Sequence, residues 1–297
     1  MFRIVRRSVL ATCFLVCVAA SARAEEVHYD VFVTSSGTSL VIGGYDDVNT
    51  VAVIPAEQLR VFGGEVIGSG TAGPYVSDAP GEPGFRASTQ ASLNNASLTT
   101  PANTYTALTG SAALTFSFEP MTIAAQTRNL FFWDGDGAVS FVPVATSVVL
   151  GLTKGAIVPE WTETIDGSSA GVIAGNTIQV TGATGSVHTH LFTSIDDAGA
   201  APAQGFYLYS LQMHMNGYAS SDPLYFVFGA LDPLSLAPQF ADLAAFEEAH
   251  GLAEGWVETN LVAPVPEPSA LALAGIGLAA VGVGALRRRA RSSDKTG

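Results

Sequence analysis

From Tyr29 to Phe228 the chain alternates between two textures, and this cadence limits what it can fold into more than any other feature. Runs rich in Val, Ile, Thr, Phe and Tyr are broken every ten residues or so by Gly, Pro, Asn, Asp or Ser. β-Branched and aromatic side chains fit a pleated, half-buried surface, and the breakers supply turns, so the pattern is that of an all-β protein. Strands are expected at 28–33, 40–43, 51–54, 60–67, 104–108, 112–119, 130–133, 139–142 and 147–152. Further strands are expected at 163–165, 177–181, 188–196, 205–215 and 223–228. Period-two alternation sets Leu114, Phe116 and Phe118 against Ala113, Thr115 and Ser117, and Tyr207, Tyr209 and Leu211 against Phe206, Leu208 and Ser210. The fold expected is an antiparallel β-sandwich, jelly-roll-like, with a short C-terminal helix packed on it. That helix is placed at Gln239–His250, with Gly251 as its stop and a further turn at Trp256–Leu261. Ser69–Asn103, poor in core residues, reads as a long loop or a pair of edge strands.

Two segments outside this body carry an address. At the C-terminal end Val265-Pro266-Glu267-Pro268 is followed by an uncharged run, Ser269 to Leu286, then by Arg287, Arg288, Arg289 and Arg291. As a helix the run extends about 27 Å, close to the thickness of a bilayer's hydrocarbon core. Arginines beside a span resist translocation, so the body lies across the membrane from them. At the other end Arg3, Arg6 and Arg7 precede an apolar stretch from Val9 to Ala20 and the sequence Ala22-Arg23-Ala24. That is the form of a secretory signal peptide cut after Ala24, which implies the Sec translocon as a partner. The chain thus divides into a signal peptide (1–24), an exported body (25–262), a Pro-rich spacer (263–268), a transmembrane helix (269–286) and a basic cytoplasmic tail (287–297). Cys13 and Cys17 both fall in the signal peptide, so the body has no disulfide and relies on packing, on metals, or on both.

The Pro-Glu-Pro element, the apolar span and the arginine cluster, in that order, resemble the PEP-CTERM sorting signal. That signal is carried by exported proteins of exopolysaccharide-producing Gram-negative bacteria. The resemblance implies an exosortase as partner, a membrane enzyme that cleaves near Pro266-Glu267-Pro268 and releases or re-anchors its substrate. It also implies a precursor held in the inner membrane and a product at the cell surface or secreted. The body resembles a group of PEP-CTERM proteins in three places, His188-Thr189-His190-Leu191-Phe192-Thr193, Gly205 to Leu211, and Ser221 to Phe228. The helical segment with His250 and Trp256-Val257-Glu258 is similar too, which implies a shared β-sandwich.

Charge narrows the function classes. Residues 25–264 hold four basic residues, Arg60, Arg86, Arg128 and Lys154, against 24 acidic ones, a net of −20. A phosphate backbone would be repelled, which excludes nucleic acid as a partner. Gly68-Ser69-Gly70-Thr71-Ala72-Gly73 has dinucleotide-loop spacing, but Pro74 follows where a phosphate-binding helix would open, so turn glycines are expected. Gly167-Ser168-Ser169-Ala170-Gly171 has nucleophile-elbow spacing but lies between two strands, so Ser169 reads as a loop serine. Asp134-Gly135-Asp136-Gly137 reads as a turn between apolar runs; a calcium loop there would lack its distal glutamate. No complete catalytic constellation is present, and the chain is not expected to be an enzyme.

His188-Thr189-His190 is the sharpest chemical candidate. Residues two apart on a strand share a face, so both imidazoles can reach one ion, with His214 or His28 as further ligands. Zinc or copper would suit such a site, calcium less well. The sequence requires no cofactor. It points to an exported surface or extracellular-matrix protein with a structural or adhesive role in exopolysaccharide; the alternative is an extracytoplasmic transition-metal-binding protein using the His-x-His pair.

Overall fold

The structure, a computed structural model, describes residues 29–46, 51–54, 59–77, 81, 83–95, 105–155 and 157–262. The expected signal peptide with Ala22 and Ala24, His28, and everything from residue 263 onward lie outside that range. So do Val265, Pro266, Glu267, Pro268, the 269–286 span and Arg287, Arg288 and Arg289. Among the described residues no helix is long and apolar enough to cross a membrane.

Strands dominate the secondary structure of the described residues. In order come β1 (Tyr29–Ser35), β2 (Leu40–Asp46), β3 (Val51–Ile54), β4 (Val61–Ile67), β5 (Tyr75–Val76), β6 (Gly84–Ala87), the short helix α1 (Gln90–Asn95), β7 (Ala113–Glu119), β8 (Met121–Ile123) and β9 (Gln126–Arg128). There follow β10 (Leu130–Trp133), β11 (Val142–Pro143), β12 (Val148–Lys154), β13 (Trp161–Asp166), β14 (Ile173–Val180), β15 (Val187–His190), β16 (Phe192–Asp197), β17 (Gly205–Met215), β18 (Leu224–Leu231) and α2 (Leu243–Asn260). One sheet has the order β15-β6-β1-β2-β3. A larger one runs β11-β10-β17-β18-β4-β5-β16-β12-β13, with β7 and β14 joined to it through β17. Most ladders are antiparallel as expected, but β1–β6 and β4–β18 are parallel, the latter from Tyr225↔Val61 to Leu231↔Ile67.

β17 organises the larger sheet. Its first half pairs with β10 and its second half with β7, so those two strands lie end to end along one edge, while β18 takes the other. Its two faces serve two cores. Tyr207, Tyr209, Leu211, Met213 and Met215 join Val31, Val33, Ile42 and Phe85 of the smaller sheet in the main core. Phe206 and Leu208 point the other way, onto Phe246, Ala249, Ala253 and Val257 of α2. A strand covered on both faces needs apolar side chains in succession, which is why Phe206, Tyr207, Leu208 and Tyr209 follow one another without a polar break. The larger sheet curls: Trp161 on β13 donates its indole N–H to Thr177 O on β14 (3.1 Å) and packs on Phe116.

Six expectations need correction. Ser69–Asn103 holds two interior strands and α1: β5 lies between β4 and β16, and β6 between β1 and β15. The strand expected at 188–196 is two strands, broken at the buried Leu191, where the chain leaves the smaller sheet for the larger. Among the described residues of 104–108 and 139–142, only the Thr106 bridge to Ser35 and the two-residue β11 form. Gly251 does not stop the helix, and the separate turn expected at Trp256 is part of the same α2. The stripe Phe246, Ala249, His250, Ala253, Val257 continues through it at spacings of three and four, so burial on one face outweighs the low helix propensity of outward-facing Gly251 and Gly255. Asp242 caps the start, its Oδ1 accepting from Ala245 N (2.8 Å).

Candidate functional site

β15 pairs with β6 so that His188 lies opposite Arg86 and His190 opposite Gly84. The neighbouring Val187, Phe85 and Ala87 point into the main core, so both histidines stand on the outer face of the smaller sheet. The expected pairing of the two rings is present: their Nε2 atoms are 3.2 Å apart. Gly84 permits this. A Cβ there would meet Asp30 Oδ1 at 2.7 Å and the His190 ring at 2.7 Å, so only glycine lets the ring lie against the strand. His190 Nδ1 then donates its proton to Gly81 O (2.8 Å), since a carbonyl can only accept. In the neutral ring that leaves Nε2 as the lone-pair nitrogen facing His188. Asp30, buried beneath, accepts from Gly84 N (2.6 Å) and pairs with Arg86, whose guanidinium lies 4.7 Å from the centre of the Tyr45 ring.

Two imidazole nitrogens on one tetrahedral zinc ion sit about 3.3 Å apart, so the pair already has the spacing of one coordination edge. The backbone acceptor on Nδ1 is the kind of outer contact that fixes a ligating ring. Among the described residues, however, no third His, Cys, Asp or Glu ligand atom lies within 4.8 Å of both. His214 does not join them. Its Nε2 is 2.7 Å from Ser117 Oγ, which itself donates to Glu119 Oε1 (2.6 Å). Ser117 Oγ therefore accepts from Nε2–H, and His214 Nδ1 accepts from Ser220 Oγ (2.7 Å). Both ring nitrogens of His214 are committed to hydroxyls. His28 lies outside the described residues.

The other motifs are turns. Gly70 and Gly73 adopt positive φ between β4 and β5, and Asp134 Oδ1 accepts from Asp136 N (3.0 Å) in the turn after β10. Ser169 hydrogen-bonds to Asp166 (3.2 Å), whose carboxyl is held below the usual carboxylate range chiefly by the Ser168 hydroxyl. Tyr75 is buried and Trp161 is a packing residue, so neither offers a free ring to a sugar.

Two further features have no motif in the sequence. Ser36, Ser39, Arg60, Ser220 and Asp222 line a polar cleft of about 210 Å³. Arg60 is only 8% exposed, and its Nη1 pairs with Asp222 Oδ2 at 2.9 Å. Beneath α2, Glu65, Glu247 and His250 converge with their ligating atoms within 4.8 Å of one another. The signal for the second was a lone carboxylate, Glu65, in the apolar run Val61–Ile67.

The comparison with known families bears on the end of the chain. Residues 264–289 match the PEP-CTERM protein-sorting motif. The motif implies export, a membrane-anchored precursor and processing by an exosortase-type enzyme. The match covers the tail alone. No curated protein and no solved structure matches the chain.

Proposed function

We propose that this PEP-CTERM chain has a structural or adhesive role with exopolysaccharide, at the cell surface or in the extracellular matrix, and no catalytic activity of its own. In this reading the Sec translocon carries it across the inner membrane of a Gram-negative bacterium, and a jelly-roll-like sandwich body is what is displayed. The sorting motif at 264–289 carries the reading, because it commits the body to the outside of the membrane. The polar cleft supports a glycan ligand: three serine hydroxyls and an Arg60–Asp222 ion pair supply the donors and acceptors that sugar hydroxyls require. The body's net charge of −20 favours solubility in a hydrated matrix. The test is to produce the full chain in an exopolysaccharide-forming host and fractionate the culture. Co-sedimentation with the polysaccharide, lost after glycosidase treatment and weakened in Ser220→Ala/Asp222→Asn, is the expected result. An exported protein that never enters the polysaccharide fraction overturns the reading.

One observation favours a second reading, an extracytoplasmic transition-metal-binding protein: the 3.2 Å separation of His188 Nε2 and His190 Nε2, with His190 Nδ1 held by Gly81 O. Zinc or copper bound by the purified protein and lost in His188→Ala/His190→Ala is the outcome this reading requires.

A further inference from the structure

We propose that Glu65, Glu247 and His250 form a binding site for one divalent first-row transition-metal ion, separate from the His188–His190 pair. The three come from two elements that meet only in the folded protein. Glu65 alternates with Val61 and Gly63 on the face of β4 turned to the helix, while Phe62 and Val66 face the main core. Glu247 and His250 are three apart on α2 and therefore project from one side of it. Their ligating atoms lie within 4.8 Å of one another, a set that small side-chain rotations close onto one ion.

The imidazole sets this apart from an ordinary surface acid cluster. His250 is wholly buried, stacked on Phe206 at 5.4 Å between ring centres. Its Nε2–H donates to Val227 O (2.9 Å), and Glu254 Oε1 lies 3.9 Å from the same nitrogen. The carbonyl, which can only accept, holds the proton on Nε2 and puts the lone pair of the neutral ring on Nδ1, the arrangement that orients metal-bound histidines. The β4–β18 register points Nδ1 the right way. Gly63 pairs with Val227 and Glu65 with Gly229, and Nδ1 lies 3.7 Å from where a Cβ on Gly229 would be. Gly229 and Gly63 also let the helix settle onto the sheet: a Cβ on the first would strike Phe246 at 2.7 Å, and on the second Glu254 Oε1 at 2.3 Å.

The donor set selects the class of ion. Calcium and magnesium take all-oxygen shells, and soft ions such as Cu(I) take thiolates or thioethers. One imidazole with two carboxylates suits zinc and its neighbours, with water at the remaining position. A divalent cation would also neutralise two half-buried carboxylates crowded beside a buried ring.

The test uses the full-length protein, purified without a histidine tag, stripped with chelator and titrated with zinc, with calcium as the control. About one zinc per chain is expected, retained in His188→Ala/His190→Ala and lost in Glu65→Gln/Glu247→Gln. Altered outer contacts alone weaken metal sites about 10- to 100-fold, so loss of two ligands should take affinity beyond that. Zinc should raise the melting temperature of the protein and of the histidine variant, but not of the glutamine variant. If the double glutamine variant does not fold, Glu247→Gln alone carries the test. No zinc in the unaltered protein overturns the proposal. Zinc lost with His188 and His190 but kept without Glu65 and Glu247 also overturns it, and assigns the metal to the strand pair.

Discussion

Replacing Gly251 with alanine tests the packing of α2 through the sign of its effect. The residue lies in the middle of the Leu243–Asn260 helix, faces solvent, and has nothing within 4 Å of an added Cβ. Its φ is not among the positive values adopted by turn glycines such as Gly135 and Gly217. In such a place glycine gives up more backbone entropy on folding than alanine, a difference of about 0.5–1 kcal/mol. Gly255 is equally exposed and unobstructed, so the double variant should gain about 1–2 kcal/mol. At about 2–4 °C per kcal/mol for a body of this size, the double variant should melt roughly 2–8 °C higher. Urea unfolding followed by tryptophan fluorescence should show a higher midpoint with unchanged slope, because the surface exposed on unfolding is the same. A helix ending at Gly251 would instead place that glycine in the left-handed cap, where alanine costs about 1 kcal/mol. A lowered midpoint in Gly251→Ala would therefore refute the continuous helix.

Phe246→Ala should destabilise the protein by about 3–5 kcal/mol in urea titration, since it empties a fully buried position between Phe206 and Phe240. The β8–β9 hairpin turns on Ala124 and Ala125, both at positive φ (48° and 64°), so Ala124→Asn/Ala125→Gly should raise stability by about 1–2 kcal/mol in the same assay. Burial pushes the Tyr207 and Tyr209 hydroxyls far above their ordinary titration range. Their stabilising effect is then fully present below the unfolded-state pKa of about 10 and lost as pH rises above it, so alkaline titration should unfold the protein, and Tyr209→Phe should move the midpoint to higher pH.

The elements legible in the sequence were those whose own residues determine them. β10, β17 and β3 have the expected bounds, because each is a β-rich run between clear turn residues. β5 and β6 were not legible: Gly84-Phe85-Arg86-Ala87 becomes a strand because ladders from β1 and β15 enclose it, a tertiary effect that its own composition does not announce. The β8–β9 hairpin is not legible either, because Ala124-Ala125 carries no turn signal. The break at Leu191 was hidden in an uninterrupted strand-like run. At the candidate site, period two was enough to set His188 beside His190, but the Gly81 acceptor and the space above Gly84 depend on chain folded in from elsewhere. Glu65 and His250 have no spacing that could link them, since only the packing of α2 on β4 brings them together.

The central claim is that the body is exported and processed at its Pro-Glu-Pro element. Intact mass spectrometry of the full chain, recovered from otherwise identical hosts with and without the exosortase, tests this most directly. With the enzyme, the exported protein should lack the apolar span and Arg287, Arg288 and Arg289, its mass ending near Pro266–Pro268; without the enzyme, or in Glu267→Ala, the longer membrane-held form should accumulate. An exported protein of the same full C-terminal mass in both hosts would contradict the account.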